Sequence, residues 1–351
     1  MGNHSFVTLF NPKNASDARK IQTLRQAGYS FIDTYAEQRA ELAEIRDPQA
    51  VGKPPQALLE DPGERVVLYP WRRTLVRIVG PESYQELRTN RNRDLLTASE
   101  QERFASFHIG FAGLNVGNPG AVCVALEGGS RQMKLTDLDA LSLTNLNRFR
   151  AGLPDLGVNK ATLTARQILE VDPYYKLELR DDGLRGDTVS SFLCEPKLNL
   201  LVEEMDALPL KIAVRNEAKR QRIPVIMVTG NGEGVLLDVE RYDEEDDLEL
   251  LNGLMEPRVL KSIMQPPTPM PPRDKVALAR DFMGVSYLDK RLVDSFEKFG
   301  TELVGIPQLA ESSFMRGAAL CYAAKAIALG RPLPSGRYAF SFNEHLRPVK
   351  F

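Results

Sequence analysis

The polar residues best suited to chemistry lie between positions 137 and 160. Asp137 and Asp139 end an apolar, β-rich segment, Arg148 follows within the stretch Asn-Leu-Asn-Arg, and Lys160 comes twelve residues after it. A carboxylate at a strand end can accept hydrogen bonds from ribose hydroxyls. Arginine offers a planar fork for phosphate oxygens and lysine a compact point charge. This order of residues indicates a nucleotide with a phosphate tail.

A glycine-containing turn precedes these residues. Positions 110–117 follow a predicted strand over 104–111 and come before a helix predicted to begin at Asn118. Backbone N–H groups and a helix N-terminus favour an anion at such a turn. The dinucleotide pattern G-x-G-x-x-G is incomplete, because Ala112 and Asn115 take its second and third glycine positions. A plain tight turn therefore remains an alternative.

Strand and helix patterns alternate between about residues 104 and 245. Further strands are predicted over 131–139, 175–181, 199–204, 223–230 and 234–242, and helices over 160–171 and 210–222. Such alternation is typical of a doubly wound, mainly parallel α/β sheet of the Rossmann type.

The flanking regions differ in pattern and predict three parts. Residues 1–95 form an accessory region, 96–257 the nucleotide-binding domain, and 258–351 a mostly helical region that completes it. The accessory region has helical patterns over 15–28 and 35–47 and short strands within 65–80, where Pro70 indicates an edge or a turn. The acidic run 243–250 and the proline-rich run 265–272 mark the second boundary, and a closing strand is predicted over 337–342.

Composition excludes several classes of protein. The formal net charge is −2, which gives no electrostatic reason to expect nucleic acid or membrane as the main partner. The apolar run 317–330 is predicted to be a buried helix, since Lys325 interrupts it and it is shorter than the roughly 20 apolar residues of a spanning helix. The start of the chain lacks the pattern of a secretory signal, and three scattered cysteines do not form a disulfide framework. A cytoplasmic setting is expected.

Three segments carry a resemblance to a known family. The segment DLDALSLTNLNRFRAGLPDLGVNKA (137–161) resembles the D-x-D … S-N-L-N-R-Q … K-A signature of the MoeB/ThiF/HesA and ubiquitin-activating enzyme superfamily. Thr144 and Phe149 replace its usual Ser and Gln. VEEMDALPLK (202–211) resembles the D-x-x-D-N-x-x-x-R stretch, with Glu203 at the first aspartate, and RTNRNRD (88–94) resembles R-Y-x-R-Q. The likeness covers about residues 86–245.

The resemblance implies an ATP-dependent adenylyltransferase that joins a carboxylate to AMP and releases pyrophosphate. In this reading Asp206 works with Mg²⁺ and the phosphates, and Arg148 and Lys160 neutralise charge. Arg91 matches an arginine that enters the partner subunit's ATP site, so a homodimer is implied. The other nucleotide-binding positions that it implies are Gly110, Ala112, Gly113, Asp137, Asp139, Asn145, Asn147 and Lys211.

Two departures from the family pattern narrow the expected metal content and chemistry. The chain has no C-x-x-C pair, so no structural zinc is expected, and the region after the fifth predicted strand has no cysteine, so the chemistry is expected to stop at the adenylate. Cys123, Cys194 and Cys321 are expected to be buried residues without a catalytic role. The acyl substrate stays open between a ubiquitin-like tail, a short peptide and a small acid.

Two other functions stay open at this point. The glycine turn and Asp137 would serve NAD as well as ATP, which suits a dinucleotide-binding oxidoreductase or its accessory subunit. A non-catalytic scaffold of the same fold is the other alternative, because Ala112 and Asn115 alter the turn.

Overall fold

Two β-sheets organise the chain in the computed structural model, which describes residues 6–52, 61–265 and 270–348. The first has the order β1-β3-β4-β2. Its strands are β1 (Thr8–Phe10), β2 (Ser30–Asp33), β3 (Arg65–Tyr69) and β4 (Thr74–Ile78), and it carries helices α1 (Ala15–Gln26), α2 (Tyr35–Arg46) and α3 (Pro81–Arg88). Strand β2 is parallel to β4, whereas the β1–β3 and β3–β4 pairs are antiparallel.

The predicted elements of this region are confirmed, but β1 and β2 were not predicted. Three of the four residues of β2 are exposed, so the strand lacks the apolar alternation that would reveal it in the sequence. Pro70 begins the turn between β3 and β4, where its missing N–H costs no sheet hydrogen bond.

The second sheet has seven strands in the order β11-β10-β9-β8-β5-β6-β7. These are β5 (Ile109–Ala112), β6 (Gln132–Thr136), β7 (Lys176–Arg180), β8 (Leu200–Glu203), β9 (Val225–Asn231), β10 (Gly234–Glu240) and β11 (Gly336–Ser341). The helices are α4 (Ala98–Ser106), α5 (Leu114–Leu126), α6 (Lys160–Val171), α7 (Val189–Cys194), α8 (Leu208–Arg220), α9 (Pro257–Met264), α10 (Pro272–Met283), α11 (Lys290–Glu297), α12 (Ala310–Leu329) and α13 (Phe342–His345).

The order of the strands reverses at β5, which pairs with β6 on one side and β8 on the other. From β9 to β7 the strands are parallel, and β10 and β11 extend the sheet in antiparallel pairs. The predicted doubly wound, mainly parallel α/β fold is confirmed. In open sheets of this kind ligands bind beyond the carboxyl ends of the strands at the reversal point, which here lies between β5 and β8.

Two predicted boundaries are wrong. The strand predicted over 104–111 is helical up to Ser106, because a capping box formed by Thr97 and Glu100 begins α4 and directs Phe104 into the core. The helix predicted to begin at Asn118 begins at Leu114, so Pro119 lies inside it. Tertiary packing overrides the local preference of proline for a first turn.

Parts of two predicted loops fall outside the described residues. Positions 266–269 of the proline-rich run are among them, as are positions 53–60. No helix within the described ranges is long and apolar enough to cross a membrane.

Helices α5 and α12 pack closely because glycines lie where they meet. A Cβ on Gly317 would lie 2.8 Å from the carbonyl oxygen of Pro119, and one on Gly120 would lie 2.7 Å from Leu320 Cδ1. The buried helix predicted for the apolar run 317–330 is thus confirmed as the partner of α5. This contact fixes the helix that follows the glycine turn.

We expect Gly317→Ala to destabilise the protein by about 1–3 kcal/mol, since the backbone of Pro119 cannot yield to the added methyl group. Gly117→Ala is the matched control, because its Cβ would meet only ordinary contacts at 3.7 Å or more, and a helical alanine gains up to about 1 kcal/mol over glycine. Urea denaturation of the three proteins measures the difference. Equal midpoints for the two variants would contradict this account.

Candidate functional site

The turn between β5 and α5 is built on Gly113. Its φ is +90°, which favours glycine, and a Cβ there would overlap the backbone carbonyl of Glu204. The glycine therefore lets the start of α5 approach the chain that leaves β8. This contact brings the positive end of a helix beside the residues that follow Glu203.

The Asp137 carboxylate joins this turn to the end of β6. One oxygen accepts a hydrogen bond from the backbone N–H of Leu114 at 2.6 Å and the other from the N–H of Asp139 at 2.8 Å. Burial raises the pKa of Asp137, and these two bonds oppose that effect. The side chain is held at the mouth of the turn, where its remaining lone pairs can accept from a ligand.

Lys160 lies beside Asp139 at the start of α6. Its Nζ donates to the Asp139 carboxylate at 3.1 Å, and its backbone N–H donates to the Asp139 carbonyl at 2.9 Å. The lysine side chain is buried, whereas Asp139 is half exposed. Asn159 caps the helix and also donates to the carbonyl of Asp137. The α6 terminus thus keeps the ammonium group next to the strand-end carboxylates.

Arg148 belongs to the irregular segment between β6 and α6. It donates to the carbonyl of Thr144 and to the Asn147 side chain, both at 2.9 Å, while its buried Nε has no hydrogen-bond partner among the described residues. Burial lowers the pKa of Arg148, and the charge of Asp206 opposes this. Asn145 is used locally, as its Oδ1 accepts from Ser142. Asn147 also donates to the Gln308 carbonyl.

A cavity of about 270 Å³ opens at the reversal point of the sheet. We call it the turn cavity; Gly113, Asn115, Asp137, Asp139, Glu204 and Asp206 are among its lining residues. Asp206 is exposed and makes no hydrogen bond or ion pair with any residue of the described ranges. Asn115 Oδ1 is buried and has no hydrogen-bond partner within the described residues. The cavity thus offers carboxylates and an unused amide oxygen.

Lys211 is held in a buried ion network behind this cavity. Its Nζ lies 3.0 Å from Glu203, which also pairs with Arg215, and Arg215 in turn pairs with Glu240 at 2.8 Å. Burial opposes ionisation of Glu203, but the two cations outweigh it and hold the pKa of that carboxyl low. The network pairs Lys211 with Glu203, and its role in nucleotide binding stays a prediction.

Several predicted site residues do not line the turn cavity, among them Gly110, Ala112 and Arg91. Gly110 is inside β5, where a Cβ would lie 3.1 Å from the Phe192 ring, so its role is close packing. Ala112 is fully buried at the end of the same strand. Arg91 follows α3, and its neighbour Asn92 donates to the carbonyl of Glu127, at the end of α5 opposite Gly113. A helix of 13 residues spans about 20 Å, so Arg91 does not reach the cavity of its own chain.

Two buried residues of the site were not predicted. Glu204 lines the turn cavity and accepts from the N–H of Val228 at 2.6 Å, and burial raises the pKa of this carboxyl to about 8. Arg316 lies in α12 and is 2% exposed. A charged residue directly before the apolar run of α12 was the available signal for Arg316; the adjacent acids in VEEMD were the signal for Glu204.

None of the three cysteines lines the turn cavity. Cys194 ends α7, ahead of the loop in which Asn199 bonds to His108 at the start of β5, so it lies toward the opposite edge of the sheet. It is partly buried, and burial raises its pKa. Cys123 and Cys321 lie within α5 and α12. The absence of an enzyme-bound thioester stays a prediction.

The site fits a nucleotide with phosphates on three structural grounds. Asn115 Oδ1 and Arg148 Nε are buried polar atoms without hydrogen-bond partners among the described residues. The N-terminus of α5 faces the cavity. Asp137 lies where a carboxylate can accept hydrogen bonds from ribose hydroxyls. Asp206 supplies carboxylate oxygens of the kind that Mg²⁺ prefers.

Comparison with known proteins finds a family match for the nucleotide-binding part of the chain. The model of the ThiF family matches residues 89–245. An uncharacterised protein of Mycobacterium tuberculosis (strain CDC 1551 / Oshkosh) is 34% identical over 337 residues, which are 96% of this chain and 45% of that protein. tRNA threonylcarbamoyladenosine dehydratase of Escherichia coli K12 is 28% identical over 131 residues, 37% of this chain and 48% of that protein. The chain spans about half the length of the curated relatives that it matches.

Solved structures show a related fold. The crystal structure of PaaA aligns with a TM-score of 0.51 at 18% identity, over 75% of this chain and 77% of that one. The E. coli dehydratase has been solved in complex with ATP, and that structure aligns at a TM-score of 0.49 and 18% identity over 70% of this chain and 95% of its own.

The buried carboxyl of Glu204 predicts a pH-dependent stability in metal-free, nucleotide-free buffer. Its pKa is about 8 in the folded chain, above the ordinary value of 4.5. The unfolded chain therefore loses this proton first as the pH rises, and the stability cost grows between those two values. Glu204→Gln removes this cost and keeps the acceptor for Val228. We expect the variant to gain on the order of 3 kcal/mol over the wild type between pH 5 and pH 8.

Denaturation midpoints at the two pH values measure this gain. Exposed Glu102 provides the control, since Glu102→Gln should change both midpoints little. A gain for Glu204→Gln that is the same at pH 5 and pH 8 would show that the carboxyl is ionised throughout.

Proposed function

Because the chain carries a ThiF-family domain at residues 89–245, we propose that the protein is an ATP-dependent adenylyltransferase that activates a carboxylate. The observation that carries the proposal is the convergence of Gly113, Asp137 and Asp206 on one cavity at the reversal point of the sheet. Arg148 and Lys160 bring positive charge near it, because Arg148 interacts electrostatically with Asp206 and Lys160 donates to Asp139, and both carboxylates line the cavity. Neither cation belongs to the fingerprint of a dinucleotide-binding oxidoreductase. The presence of Asp137, Asp206 and both cations argues against a non-catalytic scaffold.

ATP binds as a substrate in this proposal. The ribose hydroxyls donate to Asp137, and the phosphates lie toward the N-terminus of α5 and the cations. An oxygen of the substrate carboxylate forms a bond to the α-phosphorus, and the bond from that phosphorus to the bridging oxygen breaks. Pyrophosphate leaves with the electron pair, so no oxidant or reductant is needed.

Charge repulsion is the main barrier to this step, because an anionic nucleophile approaches a polyanion. The guanidinium of Arg148 has an unused donor for a phosphate oxygen, and Lys160 adds a charge that Asp139 orients. Preorganised cations in a water-poor site stabilise developing charge without reorganisation. Mg²⁺, held by Asp206, would supply further neutralisation of the phosphates when bound.

We expect Asp206→Asn to lower ATP–pyrophosphate exchange at least about 100-fold, since removal of one charge-stabilising group has effects of this size. The assay uses labelled pyrophosphate, Mg²⁺, and a panel of small acids and peptides with free carboxyl ends. Asp187→Asn, a change at an exposed side chain, is the control and should exchange like the wild type. Undiminished exchange by Asp206→Asn would falsify the role of this carboxylate. Absence of both ATP binding and exchange in the wild type would contradict the function itself.

We also propose that the protein acts as a symmetric homodimer in which Arg91 enters the partner's site. Arg91 is exposed and cannot reach the turn cavity of its own chain. A two-fold dimer offers each arginine to the other subunit.

Mixing two inactive variants tests this arrangement. Arg91→Ala retains Asp206, and Asp206→Asn retains Arg91, so a mixed dimer has one complete site. After subunit exchange we expect about a quarter of the wild-type activity, because half of the dimers are mixed and each has one working site. Full activity of Arg91→Ala alone, or an active monomer at micromolar concentration, would exclude the arrangement.

A further inference from the structure

A second cavity adjoins the turn cavity across Asp206. It has a volume of about 160 Å³, and we call it the Arg316 cavity. Glu204, Met205 and Asp206 line both cavities, so they are separated only by the segment that leaves β8. The remaining wall of the Arg316 cavity is mostly apolar and includes Met227, Phe282, Met283, Leu292 and Ile306.

Arg316 brings an incompletely satisfied guanidinium to this apolar cavity. Its Nη1 donates to the Gln308 side chain at 3.1 Å, but its Nε and Nη2 are buried without a hydrogen-bond partner in the described parts of the chain. Its group also packs over Gly230, where a Cβ would lie 3.4 Å from Nη1. A buried guanidinium with two unused donors is costly unless an anion completes it.

The surroundings of Arg316 favour an anionic ligand. It makes no ion pair within the described residues, and its one acceptor, Gln308, is neutral. Burial, together with the neighbouring charges of Arg148 and Arg150, lowers the pKa of Arg316 to about 10 against the opposing effect of Glu204. A carboxylate matches the fork of a guanidinium with two parallel hydrogen bonds.

We propose that the Arg316 cavity binds the acyl end of the substrate, with Arg316 holding the reacting carboxylate beside Asp206 and the apolar wall enclosing a small aliphatic side chain. The proposal rests on the proposed function and names its substrate class. A cavity of about 150 Å³ accommodates a molecule of the size of benzene, so a group of about the size of a leucine side chain fits the Arg316 cavity.

Methionine methyl signals test the proposal directly in the full chain. The protein contains nine methionines, and Met205, Met227 and Met283 line the cavity. With ¹³C-methyl-methionine labelling, 4-methylpentanoate is the probe and 4-methylpentanamide, which lacks the charge, is the control. We expect the acid to shift the three cavity signals at millimolar concentration and the amide to bind at least about tenfold more weakly.

Two variants separate a binding role of Arg316 from a structural one. Arg316→Gln removes the charge and should abolish the shifts. Gln308→Glu keeps the size of the side chain and the fold, but it places an internal carboxylate against Arg316, so it should weaken acid binding at least about tenfold. No shift with the wild type, or unchanged acid binding in Gln308→Glu, would overturn the proposal.

A parallel ATP titration by calorimetry distinguishes a failure of the Arg316 cavity assignment from a failure of the proposed function. ATP binding without acid binding would overturn only the assignment of the Arg316 cavity. Absence of ATP binding by the wild-type protein would instead contradict the proposed function. If both variants still bind the acid, the methionine shifts come from a contact other than Arg316, and the proposal is wrong.

Discussion

The close approach of Gly113 to the backbone of Glu204 is the constraint on which the site depends. Any side chain at position 113 would overlap that carbonyl, and the positive φ of the turn independently favours glycine. This single contact fixes the start of α5 against the chain that leaves β8. It therefore determines how far Asp137, which is bonded to the first residue of α5, lies from Asp206. The backbone contact between Gly113 and Glu204 thus sets the shape of the turn cavity.

A buried ion network makes that arrangement rigid from behind. Arg215 is fully buried and pairs with Glu203 on β8 and Glu240 on β10, so it joins two strands that are not neighbours in the sheet. Tyr242 donates to Glu240, and Leu251 donates to the same oxygen through its N–H. Removing one partner of such a network leaves an uncompensated buried charge, which costs far more than a surface pair contributes. The end of β8 is thus held from both sides.

The sequence contained most of the fold and part of the site. Helix α6 was predicted at its observed bounds, since its apolar face repeats regularly and Asn159 caps it. Asp137, Asp139 and Lys160 were found because they follow strand and helix ends in order. Glu204 and Arg316 were missed, because their importance comes from burial and from a contact between elements distant in the sequence. The sequence alone does not distinguish Gly110 from Gly113. The structure does, because Phe192 packs on Gly110 whereas the backbone of Glu204 lies against Gly113.

The cations near the site divide according to whether the chain itself neutralises them. Lys160, Lys211 and Arg215 each have a carboxylate partner at hydrogen-bond distance, so their positions are fixed by Asp139, Glu203 and Glu240. Arg148 and Arg316 have only neutral acceptors and retain buried donors without partners. A polyanion and a carboxylate must be brought together for adenylation, and each needs its own counter-charge on its own side of Asp206. In the proposed reaction Arg148 would supply this charge for the phosphates and Arg316 would supply it for the carboxylate.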